Sequence, residues 1–190
     1  MAVQIGAKAH NFADPTGLLS DCHRRVEMFL GSLQAVAEVI AQPPAKETRQ
    51  RLAGAIRYFA QAAPQHTGDE EESLFPRLRR TNDPAVQSAF ANLEKLEADH
   101  RWARPVHASV ERLGKLYLAT GKLADAEVTE FRSSVARLAT MYQKHISIED
   151  ESIFPLAERF LSRTEMLAIA REMADRRSVP LVMDIAEPDR

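Results

Sequence analysis

The chain of 190 residues contains a single cysteine, Cys22. One thiol excludes an internal disulfide framework and a thiolate zinc site, and it fits a reducing compartment. Strand signals are also missing. No alternating run and no hairpin dipeptide flanked by β-branched residues occurs, which excludes an ordinary sheet. No run approaches the roughly 20 apolar residues that a bilayer span requires. Residues Met1 to His10 lack the long apolar core of a signal peptide. A soluble cytoplasmic protein with no membrane partner is therefore expected. The net charge is −2 with both signs interspersed, and the lack of a Lys/Arg block excludes an electrostatic nucleic-acid footprint and a membrane-surface patch. The length suits one well-filled core and is too short for two ordinary domains.

What the chain does contain is one chemical device twice. His66-Thr-Gly-Asp-Glu70-Glu-Glu-Ser-Leu-Phe75-Pro76 and His145-Ile-Ser-Ile-Glu149-Asp-Glu-Ser-Ile-Phe154-Pro155 match at the His, at the Glu four residues on and through the acidic-Glu-Ser-x-Phe-Pro run from the next residue, and lie 79 residues apart. A His and a Glu at i and i+4 stack on one helical face. Two such pairs supply most of a dinuclear metal site.

The rest of the chain reads as helices. Residues 1–15 form an irregular arm, after which Leu19, His23, Val26, Leu30 and Leu33 share a stripe that fades at Pro43-Pro44. The second stripe runs Leu52, Ile56, Phe59, Ala63, His66, Glu70 and Leu74. Pro64, Gly68 and Pro76 predict local distortion beside the His-Glu pair. Asp83-Pro84 opens a third helix, striped by Phe90, Leu93, Leu96, His100, Arg104, His107 and Val110 and closed by Gly121. The fourth stripe is Phe131, Val135, Leu138, Tyr142, His145 and Glu149, ending in a frayed turn at Phe154-Pro155. Ser162 and Glu165 form a capping box for a short fifth helix to about Asp175. The fold expected is all-α: an antiparallel up-down four-helix bundle over residues 16–176 with a short additional C-terminal helix, then a tail over 177–190.

Histidines from all four helices fall at one height. With a first connection near residue 43 and another near 122, His23 and His66 lie 20 and 23 residues from the former, and His100 and His145 lie 22 and 23 from the latter. At ~1.5 Å per residue these distances differ by a turn or less. A lone histidine on an apolar stripe is ordinarily a satisfied core residue, but four imidazoles and two carboxylates buried together would each cost several kcal/mol without partners. Mixed imidazole and carboxylate donors suit iron before zinc or manganese. Glu70 and Glu149 would bridge two ions and the histidines would be terminal ligands. Residue types alone leave manganese or a mixed-metal centre open.

From about Asp21 to Glu172, and most specifically in the two His-x-x-x-Glu pairs followed by Leu/Ile-Phe-Pro, the sequence resembles the hemerythrin-like HHE cation-binding domain proteins. The resemblance implies a four-helix bundle around a non-haem di-iron centre bridged by two carboxylates and an oxo or hydroxo group. It makes His23, His66, His100 and His145 ligands and Glu70 and Glu149 bridges. The oxygen-carrying members have a second histidine on the third helix, four residues from the first, where this chain has Arg104, and a bridging aspartate five residues beyond the last histidine. Reversible oxygen carriage is therefore not the expectation.

The function expected is a di-iron centre that binds or reacts with oxygen, peroxide or nitric oxide in sensing, detoxification or redox stress response. The alternative is an iron-binding, sensing or storage module without turnover. Arg104, drawn inward on the stripe, would either pair with a carboxylate such as Glu27 or Glu149 or stabilise an anionic ligand on the metal. Glu27, one turn after His23, reads as a core-edge or solvated carboxylate or a salt-bridge partner, with a supporting or occasional ligand role at the metal as the other reading. Glu71, Glu72, Asp150 and Glu151 read as solvated surface, His107 as a core or bundle-end histidine, His10 as a residue of the arm without a role, and the two Phe-Pro pairs as core plugs. Tyr142 reads as packing, with a hydrogen bond to a ligand or a proton and electron relay as the other reading.

Overall fold

The computed structural model describes residues 10–180. The rest of the expected arm and tail lies outside the described residues. Among the described residues there is no strand, and no helix is long and apolar enough to cross a membrane.

Helix α1 spans Pro15–Val39, its first turn capped by Asp14, whose Oδ1 accepts from the Gly17 amide at 3.0 Å. Helix α2 spans Lys46–Gln61 and α3 Ala63–Gly68. A π turn at Asp69–Leu74 then leads into α4, Phe75–Arg80. Asp83 caps the short α5, Pro84–Ser88, with Oδ1 accepting from the Ala85 amide at 2.8 Å, and α6 runs Phe90–Thr120. Gly121, at φ 75°, closes α6 in the left-handed region that a glycine enters without a Cβ clash. Helix α7, Asp125–Ile148, passes through a second π turn, Glu149–Ile153, into α8, Phe154–Phe160. The Ser162–Glu165 capping box starts α9, Arg163–Arg176.

Helix α1 packs on α2 and α7, and α6 packs on the same two, so the four long rods form a square with short connections along its sides. Helix α9 lies against the first π turn and α1. The fourth rod does not end at Phe154-Pro155 as the sequence reading expected. It continues to Phe160, because the π turn in front of Pro155 absorbs the missing amide and the ring.

The core is divided into two apolar clusters. One holds Val26, Phe59, Ala103, Tyr142 and Ile146. The other holds Leu19, Leu74, Leu96, Ile153 and Phe154. Every rod changes cluster at a residue of the polar layer: α1 at His23, between Leu19 and Val26, the second rod at His66 and Glu70, between Phe59 and Leu74, α6 at His100, between Leu96 and Ala103, and the fourth at Glu149, between Ile146 and Ile153. The polar layer is thus sealed above and below by hydrocarbon.

Candidate metal centre

Both π turns have one cause. A proline cannot donate to the carbonyl four residues back and its ring crowds that carbonyl. Before Pro76, the Phe75 amide reaches back five residues to the Glu70 carbonyl. Before Pro155, the Phe154 amide reaches the Glu149 carbonyl in the same way. Each widened turn therefore begins beside one of the paired glutamates, a placement typical of π bulges at functional positions. This is the distortion that Pro76 predicted, in a form the sequence did not specify.

The six expected site residues meet in the polar layer. His66 Nε2 lies 3.0 Å from Glu70 Oε1 and His100 Nε2 lies 3.4 Å from Glu70 Oε2. Glu149 Oε2 lies 3.1 Å from His23 Nε2 and 3.2 Å from His145 Nε2. Two groups of four donors result, His23, His66, Glu70, Glu149 and Glu70, His100, His145, Glu149, with the donor atoms of each within 4.8 Å of one another. The groups share both glutamates. All six residues are buried, the two glutamates completely.

The model of the hemerythrin HHE cation binding domain matches residues 14–175. The chain belongs to this family. An uncharacterized protein of Haemophilus influenzae is similar to it, 26% identical over 172 residues that cover 87% of this chain and 91% of that protein.

In this HHE domain, five inward-facing buried atoms have no hydrogen-bond partner among the described residues: His23 Nε2, both oxygens of Glu70 and both of Glu149. At about 1–3 kcal/mol each they would cost as much as the whole stability of an ordinary domain. Lone pairs converging in a sealed layer are satisfied by cations, so the residues fit the group the family name implies. The charge balance points the same way. Burial raises the Glu70 pKa, and the neighbouring Glu149 charge raises it further, to about 8. Glu149, although burial pushes it up, is held well below the usual carboxylate range by His145 and His23. Burial disfavours charge on His23, yet the hydrogen bond to Asp150 and the nearby carboxylates of Glu149 and Glu70 prevail and carry it to about 11. His66 and His100, with burial as the main cause and neighbouring imidazoles adding to it, are pushed down. Two carboxylates in one buried layer favour positive charge beside them, and the rings of His23 and His145 are accordingly shifted towards their charged form.

The outer ring nitrogens show what the sequence reading missed. His100 Nδ1 lies 2.9 Å from Glu71 Oε1, and His23 Nδ1 lies 2.8 Å from Asp150 Oδ1, which also accepts from Ser20 Oγ. Glu71 and Asp150 are therefore half-buried partners of the site and not solvated surface. They hold equivalent places, one residue after each central glutamate, and each reaches a histidine on a neighbouring rod. A carboxylate accepting from Nδ1–H turns the Nε2 lone pair inward.

The repeat breaks at Asp69, whose counterpart is Ile148. Asp69 is fully buried and bonded by Arg176 at 2.9 Å and Arg177 at 2.7 Å, both at the end of α9. Nothing local in the sequence marks this clamp.

Arg104 is not drawn inward. The buried positions of α6 step from His100 to Ala103 and Val106, which rolls Arg104 onto the exposed face. Among the described residues its guanidinium makes no ion pair. Glu27, expected at a core edge, in solvent or in a salt bridge, with a role at the metal as the other reading, is exposed and bonded to Arg24 at 3.1 Å, away from the layer. Phe154 stacks on His23 at 5.3 Å, so one of the two plugs also braces a candidate ligand. His10, given no role, bonds Asp21 through its amide at 2.6 Å.

Proposed function

We propose that the layer holds two iron ions, His23 and His66 on one and His100 and His145 on the other, with Glu70 and Glu149 spanning both and an oxo or hydroxo group completing the bridge. Manganese or a mixed pair satisfies the same donors. The observation that carries this is the pair of overlapping donor groups that share two fully buried glutamates whose oxygens have no hydrogen-bond partner among the described residues. The protein's role in this reading is to bind or react with oxygen, peroxide or nitric oxide in sensing, detoxification or redox stress response. Bound iron supplies electrons and a coordination position for the ligand.

The chain's own residues do the rest. Glu71 and Asp150 orient the rings of His100 and His23, and the apolar clusters on either side exclude water. A cleft of about 590 Å³ between the second rod and α6 reaches His100, with Phe59, Thr67, Glu71, Arg104 and Tyr142 in its wall. Glu71, Glu72 and Glu111 outnumber Arg104 there, so a neutral ligand suits the cleft better than an anion. The test is an absorption spectrum of freshly purified protein before and after peroxide and nitric oxide. Ligand-dependent bands in the iron-bearing protein, lost in His100→Ala, support the reading, and a featureless spectrum unchanged by either ligand contradicts it.

The Asp69 clamp favours a second reading, a module without turnover that stores or senses iron. Glu70 lies next to Asp69, so metal occupancy is mechanically linked to α9. Labile iron with no peroxide consumption, and protection of α9 that follows occupancy, would mark that case.

A further inference from the structure

The chain has three tyrosines. Tyr58 donates to the Cys22 carbonyl at 3.3 Å and Tyr117 to the Gln42 carbonyl at 2.6 Å. A peptide carbonyl takes no proton at working pH. Tyr142 differs: its hydroxyl lies 2.9 Å from His107 Nε2, a base. Tyr142 sits one helical turn from the metal layer and His107 two turns from His100, with the Tyr142 ring edge-on to His145 at 6.0 Å between centroids. Phe59 stacks on His107 at 4.6 Å and fixes its plane. Both members of the pair line the cleft that reaches His100. Burial holds the His107 pKa down to about 4, which keeps the ring neutral, and in its Nδ1–H tautomer the Nε2 lone pair accepts the phenolic hydrogen.

We propose that Tyr142 and His107 form a proton-coupled electron donor serving the metal pair. One electron leaves the Tyr142 phenol for a one-electron oxidant, the O–H bond breaks, and the proton forms an N–H bond at His107 Nε2. The products are a neutral tyrosyl radical and an imidazolium. Return of one electron to the ring and of the proton to its oxygen restores both. The oxidant is an iron ion of the pair after reaction with hydrogen peroxide, so this step rests on the di-iron reading. The dyad's own chemistry does not, since any one-electron oxidant reveals it. Tyr58 and Tyr117 lack a base and cannot release the proton in the same step.

Two arms of one experiment separate these claims. In the first, the purified full chain is oxidised by photogenerated ruthenium(III) tris-bipyridine and frozen for electron paramagnetic resonance. A tyrosyl signal that is lost in Tyr142→Phe is expected, with formation about tenfold slower in His107→Gln, which keeps an acceptor without a base. The unaltered chain in D₂O should also form it more slowly, a measurement that needs no variant to fold. A signal that survives Tyr142→Phe, or equal rates in H₂O and D₂O, overturns the proposal. In the second arm, iron-bearing protein is mixed with hydrogen peroxide. The same Tyr142-dependent signal is expected, and consumption of peroxide without it overturns the link to the metals. A chain that carries no iron overturns the proposed function instead, while the first arm still decides the dyad.

Discussion

His23 of α1 is gripped from both sides by consecutive residues of the fourth rod: Glu149 Oε2 stands 3.1 Å from its Nε2 and Asp150 Oδ1 stands 2.8 Å from its Nδ1. A single ring thereby reports the register between two helices, and the second π turn is what lets neighbouring residues act on it together.

Asp150→Asn and Glu71→Gln should each leave the fold intact and weaken metal binding by about 10–100-fold, because each removes the acceptor that turns a candidate ligand inward. Competition with a chelator measures this. Unchanged affinity in both variants would show that the outer contacts do not orient the rings.

Glu70→Ala should lose metal and, relative to the loaded wild type, about 3–5 kcal/mol of stability, since it strips compensation from buried charges. Glu72→Ala, at an exposed residue paired with Arg176, should fall within about 0.5 kcal/mol. Elemental analysis and urea unfolding of both decide the matter, and metal loss in Glu72→Ala alone reverses the assignment of faces.

The helical faces and the six layer residues were legible because helix period and distance from a turn are local quantities. His-x-x-x-Glu repeats stack by geometry alone, and Pro76 announced a disturbance. What stayed hidden depends on that disturbance and on long-range approach. The outer contacts of Glu71 and Asp150 sit in widened turns whose angle per residue is smaller than an α-helix assigns. The Asp69 clamp joins residues more than a hundred positions apart, from a helix whose stripe gives no hint of it. Arg104 was misplaced for a simpler reason: from His100, both three and four steps lie near the same face, and the packing of α6 takes Ala103.

Arg104→Ala should therefore change neither stability, beyond about 0.5 kcal/mol, nor metal content. Thermal unfolding with elemental analysis checks this. Early melting with loss of iron would restore the counter-charge role that an exposed position, with no ion pair among the described residues, denies it.

Asp69→Ala should cost about 3–5 kcal/mol, because two arginines lose the buried carboxylate they surround. Hydrogen exchange should show α9 opening ahead of the bundle. Unaltered protection of α9 would mean that its apolar face alone holds it.

His107 sets an acid limb. Its folded pKa, about 4, lies below the ordinary 6.5 because burial disfavours the charged ring. The unfolded chain binds that proton first, so stability falls as pH drops from about 6.5 towards 4, by up to about 3 kcal/mol. His107→Gln should flatten this part of the stability curve measured by urea unfolding, and an identical slope in the variant would place the titration elsewhere.

The central claim, a dinuclear centre across one layer, is tested most directly by metal counted per chain in metal-replete protein, by elemental analysis against a protein concentration from amino-acid analysis. The structure predicts two ions per chain, falling in Glu70→Ala and Glu149→Ala alike because both glutamates serve both donor groups. A firm ratio of one in the wild type, or full retention of two ions in either variant, would contradict it.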